Sequence, residues 1–100
     1  MQLRYVDDVL QRIATDADYK PVGWDAVEVA HFLLVAQCAG AATTEGDLLT
    51  LRLLRIQSDA HQGVASVMLS AKRMLTIRFE PTTMPMTAVF DVSRIETEHR

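Results

Sequence analysis

The segment S-V-M-L-S-A-K-R-M-L-T-I-R-F-E-P, residues 66–81, decides the architecture. From Leu75 the odd positions are Leu75, Ile77 and Phe79, and the even positions are Thr76, Arg78 and Glu80. Period-two alternation of this kind marks an antiparallel strand with one buried and one solvated face. Residues 70–72 are short enough for a hairpin connection, so Val64–Leu69 and Arg73–Glu80 read as paired strands. The apolar face needs a covering layer. The opposite face can hold Arg78 in the open, within reach of a phosphate or a partner's carboxylate.

Downstream, Pro81–Pro85 reads as a loop and Thr87–Ser93 as the last strand, with Ala88, Phe90 and Val92 on one side. Upstream, Leu51–Ile56 reads as a strand and Ser58–Gly63 as a loop. Gln2–Tyr5 looks like a short opening strand. Asp7 or Asp8 then caps a helix that runs to about Asp16, with Val9, Leu10 and Ile13 on one side. Asp18, Pro21 and Gly23 mark a turn region. Asp25 starts the longest helix, which continues to Ala39 and ends at Gly40, the usual C′ residue. Thr44 and Asp47 form a capping-box-like pair that can open a single helical turn. Trp24 staples the start of the long helix to the core.

This order predicts one α+β domain over residues 1–100, an N-terminal strand and two helices packed as a second layer on a small antiparallel sheet. One hundred residues suffice for a single core and not for two.

The long helix is apolar over most of its circumference, with Val27, Val29, Phe32, Leu33, Leu34, Val35 and Ala36. A helix with so little polar face is either deeply buried or covered by a second subunit. Full burial is difficult in a domain this small, which points to a homodimer or partner interface over residues 26–39. His31 on this helix reads as an interfacial or hydrogen-bonded histidine.

The hydrophobic share is 49% and the charged share 23%, as in an ordinary globular protein. The longest nearly uncharged stretch, Val29–Thr44, is too short to span a bilayer, and the N-terminus lacks the basic region of a secretion signal. The lone Cys38 cannot form an internal disulfide and fits a small buried hydrophobe. These features predict a cytoplasmic protein without membrane association. No metal or cofactor is expected, because the histidines and the cysteine lie far apart in sequence and the glycines are scattered as punctuation.

A net charge of −3 argues against gripping nucleic acid by bulk attraction. The distribution is uneven, however. Residues 1–50 carry three basic and eight acidic residues, and residues 51–100 carry seven basic and five acidic ones. Any anion-binding surface therefore belongs to the second half, on the sheet, where Arg55, Lys72, Arg73 and Arg78 lie. The expectation is that the guanidinium groups of this half gather on one accessible patch.

Four segments carry a resemblance. They are LRYVDDVLQRI (3–13), AATTEGDLLTLR (41–52), QGVASVMLSAKRMLTIRFEP (62–81) and VFDVSRIETEH (89–99). In this order they resemble the RelE/ParE superfamily of bacterial toxins, and within it the HigB-like, or killer-protein, branch. The match is one of pattern and order over nearly the whole chain, with loose motifs. The resemblance implies a small sheet clasped by an N-terminal helical hairpin. It also implies a component of a type II toxin–antitoxin system that cuts messenger RNA on the ribosome and is neutralised by a cognate antitoxin. In such chemistry the ribose 2′-hydroxyl attacks the adjacent phosphate, a basic group accepts the proton and arginine stabilises the phosphorane.

Carried onto this chain, the resemblance makes Arg73, Arg78, His61 and His99 the catalytic candidates, with Arg55 and Lys72 as RNA or anion contacts. Three departures run against it. The chain is acidic where the toxins are basic, the loop often written G-D-R-x-G reads SDAHQG with His61 in place of arginine, and Thr97 and Glu98 precede His99 where a tyrosine is common. They leave an attenuated or inactive relative, or a toxin with another target. The competing reading is a non-enzymatic α+β interaction module that dimerises through its apolar long helix. Residue by residue, a surface ion pair explains Arg78, a rim position explains Arg73, and the terminal placement of His99 leaves nothing to fix it.

Overall fold

The computed structural model describes residues 1–16, 18–42, 47–48, 56–59, 63–80 and 86–94. Its elements are β1 (Gln2–Tyr5), α1 (Asp8–Thr15), α2 (Ala26–Ala41), β2 (Gln57–Asp59), β3 (Val64–Ser70), β4 (Arg73–Glu80) and β5 (Thr87–Arg94). The five strands form one sheet in the order β1-β5-β4-β3-β2, and the class is α+β.

Each element follows from local chemistry. Asp7 caps α1 by accepting from the Val9 N–H at 2.8 Å, and Leu10 and Ile13 face inward. Along β4, Leu75, Ile77 and Phe79 are buried while Arg78 is exposed, as the alternation predicts. In the adjoining strands Ala65 and Val67 of β3 and Phe90 and Ala88 of β5 stand opposite these buried positions. Together with Leu10, Ile13, Phe32, Val35 and Ala39 they make one core. The helices therefore cover one face of the sheet.

Three expectations need correction. The sheet is mixed, because β1 pairs with β5 in parallel, Gln2 opposite Thr87 through Tyr5 opposite Phe90. Strands β2 to β5 alternate in direction, so β5 runs opposite to β2. A chain that leaves β1 and reaches the far edge through two helices arrives reversed, which makes the first and last strands parallel. The second correction concerns Gln57–Asp59, expected mostly as loop. It is an edge strand, held by backbone pairing with Val64–Ser66 and carrying no apolar alternation of its own. The expected strand Leu51–Ile56 and loop Pro81–Pro85 lie outside the described residues, Ile56 excepted. The third is the end of α2. Gly40 lies inside the helix, and Ala42, at φ −75°, closes it by donating to the carbonyls of Cys38 and Ala39. No left-handed residue is needed there. Positive φ occurs instead at Gly23 and Gly63, both in turns.

The hairpin between β3 and β4 contains a register shift between Met68 and Ser70, so that Ser70 pairs with Arg73. Bulges of this kind re-aim a side chain. Strict alternation would turn Ser70 away from the helices. The shift puts it on the helix side beside Arg73.

At the centre of the core, Phe32 is fully buried. Its ring meets Trp24 edge-on at 6.0 Å and Phe90 edge-on at 5.9 Å, with Tyr5 tilted at 6.3 Å. One helical residue thereby ties β1, β5 and the entry to α2. Phe32→Ala is expected to cost about 4 kcal/mol, measured as a lower urea midpoint with unchanged slope. Val22→Ala, on a fully exposed side chain, is expected to stay within about 0.5 kcal/mol of wild type.

Candidate functional site

The only densely bonded charged cluster among the described residues lies where the start of α2 meets the β3–β4 hairpin. Asp25 caps α2, accepting from the Glu28 N–H at 2.8 Å. Glu28 Oε1 reciprocates by accepting from the Asp25 N–H at 2.9 Å. This is a capping box, and it fixes the Glu28 side chain against the helix end. The second oxygen, Oε2, accepts from Ser70 Oγ at 2.6 Å and from Arg73 Nε at 3.1 Å. Arg73 Nη2 donates to the Gly23 carbonyl at 2.7 Å, and the guanidinium lies over the Trp24 ring at 4.7 Å. The Glu28 and Arg73 side chains are only 4% and 16% exposed.

Burial alone would raise the Glu28 carboxyl. The hydrogen bonds from Ser70, the Asp25 amide and Arg73, with the Arg73 charge, outweigh it and hold Glu28 below its ordinary value. The Nε and Nη2 donors of Arg73 and the Ser70 hydroxyl are directed at the protein itself. Arg73 also borders a hollow with Asp7, Val9, Leu10, Trp24 and Val92, but its forked group is already engaged on two sides.

Arg78 stands elsewhere. It projects from the face of β4 away from the helices, opposite Val64 and Val89, and is exposed. It makes no hydrogen bond or ion pair among the described residues. On the same face Arg4 of β1 bonds Glu80 of β4, reaching across β5. Beneath that bridge Val89 is buried, flanked in register by Arg4 and Arg78, with exposed Asp91 farther along the strand. Lys72 is exposed in the hairpin turn. Arg73 and Arg78 therefore lie on opposite faces of the sheet, and the expected gathering of these two guanidinium groups does not occur. Arg55, His61 and His99 lie outside the described residues.

On α2 the structure separates two apolar faces. Phe32, Val35, Ala36 and Ala39 fill the core. On the opposite side Val27 is 71% and Leu34 45% exposed. With Ala26, Ala30 and the half-buried His31 they line a shallow groove. Half-buried Cys38 borders a second hollow with Ala41, Ala42 and Asp47. Among the described residues no three His, Cys, Asp or Glu side chains converge as metal ligands, and no helix is long and apolar enough to cross a membrane.

The residue that sequence reasoning missed is Glu28. Its signal was present as D-x-x-E at Asp25–Glu28 immediately before an apolar run. What the sequence did not display is that the same carboxylate also receives Ser70 and Arg73 from 42 and 45 residues away. No family model and no curated protein matches the chain.

Two predictions follow from this geometry. Arg73→Ala leaves the buried Glu28 with the Ser70 hydroxyl and the Asp25 amide but no counter-charge, and is expected to cost about 3 kcal/mol of stability, whereas Arg78→Ala is expected to change stability by no more than about 0.5 kcal/mol. Chemical denaturation of both variants checks this. Secondly, a carboxyl held lower in the folded state stabilises the fold above its unfolded value of 4.5 and loses that contribution as pH falls through the folded value. Glu28→Gln keeps a side chain suited to the capping box but carries no charge. Denaturation at a series of pH values is expected to show a shallower acid-side loss of stability in Glu28→Gln than in wild type.

Proposed function

We propose that this chain is a non-enzymatic α+β interaction module that self-associates through the outer face of α2. The observation that carries the reading is the apolar stripe on the side of α2 opposite the core, with Val27 and Leu34 uncovered within a single protomer. A helix that packs on one side and remains apolar on the other gains by covering the second side. Supporting it, Arg73 is committed to holding Glu28 and the Gly23 carbonyl within the protein.

The face is about 24 Å long and about 10 Å wide, from the rise and diameter of a 16-residue helix. That footprint is well below the ~800 Å² per partner of a standard interface, so the association is weak and reversible. Sedimentation across a concentration series is expected to show a monomer–dimer equilibrium. Leu34→Glu is expected to weaken it by about 100-fold, equivalent to about 2.8 kcal/mol, with an unchanged circular dichroism spectrum. A strict monomer at every concentration would sink the reading.

A second reading is favoured by one observation, the exposed Arg78 on the open sheet face without a partner among the described residues. Under it the protein is a RelE/ParE-like toxin, acting on messenger RNA at the ribosome and held inactive by an antitoxin covering that face. Induced expression would then arrest growth, and Arg78→Ala would relieve the arrest. Normal growth at high expression counts against this second reading.

A further inference from the structure

A hollow of about 180 Å³ lies between the start of α1 and the hairpin end of the sheet, lined by Asp7, Val9, Leu10, Trp24, Arg73 and Val92. It is separate from the outer face of α2 and from the open face of the sheet. We propose that it binds a small free α-amino acid with an aliphatic side chain, the carboxylate on Arg73 and the ammonium on Asp7.

Both charged walls are held in place with bonding capacity to spare. Arg73 is fixed by Nε on Glu28, by Nη2 on the Gly23 carbonyl and by the Trp24 ring beneath it. Its Nη1 group makes no hydrogen bond among the described residues. None of their fully buried side-chain nitrogens or oxygens lacks a partner, so Nη1 reaches open space, and the hollow is open space that Arg73 borders. Asp7 Oδ1 accepts from the Val9 N–H, which orients the carboxylate at the head of α1 and leaves Oδ2 unengaged. A ligand that bonds to groups already ordered by the fold does not bear the cost of ordering them.

The charges define the class of ligand. Among the described residues Asp7 makes no ion pair and Arg73 pairs only with Glu28. Arg94 stands opposite Arg73 in the β4–β5 register, is exposed, and adds a second cation two residues beyond Val92. A simple anion drawn to the two guanidinium groups meets the Asp7 carboxylate, and a simple cation drawn to Asp7 meets the guanidinium groups. A zwitterion satisfies both signs at once. Val9, Leu10, Trp24 and Val92 supply the apolar wall that an aliphatic side chain needs. The volume is below the roughly 300–1,000 Å³ of pockets for drug-sized ligands, which limits the occupant to a small metabolite. A free amino acid carries both charged groups on one carbon, whereas an internal peptide segment carries neither.

Titration of the ¹⁵N-labelled full chain with L-valine, followed by NMR, tests the site. A saturable shift of the Trp24 indole and Val9 amide signals is expected. 3-Methylbutanoate, which is valine without its ammonium, and 2-methylpropylamine, which is valine without its carboxylate, are each expected to bind about tenfold more weakly or worse. Asp7→Asn keeps the helix cap, because asparagine caps as well as aspartate does. This variant is expected to keep the wild-type circular dichroism spectrum, to weaken L-valine binding about tenfold and to bind 3-methylbutanoate no more weakly than wild type. Arg94→Gln is expected to weaken both carboxylates. Absence of a saturable shift with L-valine would overturn the site. Equal affinity of wild type for L-valine and 3-methylbutanoate, or unchanged L-valine affinity in folded Asp7→Asn, would overturn the role of Asp7 and with it the amino-acid assignment. Neither result bears on self-association through α2, which sedimentation reads separately.

Discussion

The Glu28 carboxylate, enclosed between the start of α2 and the β3–β4 hairpin, is the constraint on which the structure depends. Its two oxygens accept from the Asp25 amide, the Ser70 hydroxyl and the Arg73 guanidinium, so a single group closes the helix end and clamps it to the sheet. A buried anion is tolerated only when its lone pairs are filled and a counter-charge is close. That requirement explains the neighbouring details. The bulge between Met68 and Ser70 delivers the hydroxyl, and the turn at Gly23 delivers a carbonyl for the far end of the arginine. Trp24 provides the flat surface on which the guanidinium rests.

From this clamp comes a division of labour between faces. On the helix side of the sheet, the buried charges of Glu28 and Arg73 neutralise each other within the protein. The other side carries Arg78, Asp91 and the Arg4–Glu80 bridge, which remain in contact with solvent. Helix α2 is divided in the same manner, Phe32 serving the interior and Leu34 the exterior. An exposed bridge such as Arg4–Glu80 contributes little stability, so these two charges can vary without endangering the fold.

Much of this was legible in the residues. The alternation of Leu75, Ile77 and Phe79 specified both the strand and its buried face, and Asp7 and Asp25 marked the helix starts through short-range capping. The same parity already placed Arg73 and Arg78 on different faces, since one is odd and the other even. The expectation of a shared arginine patch overlooked it. What sequence could not supply was long-range. Gln57–Asp59 becomes a strand only because β3 offers it partners, and β1 becomes parallel to β5 only through the path taken by the intervening helices. Gly40 looked like a helix stop because glycine favours left-handed backbone, yet the helix continues for another residue and closes on an alanine.

The parallel pairing of β1 with β5 has a consequence for biosynthesis. Gln2–Tyr5 emerges from the ribosome long before Thr87–Arg94, the strand that flanks it in the sheet. Until the later strand is released, the early segment has no ladder to join, and the aromatic cluster around Phe32 lacks Phe90. A topology that joins such distant parts of the chain folds slowly and is completed only once the last strand is available. In that interval the nascent helices expose the face destined for the interior, which makes this the stage at which chaperone protection matters most.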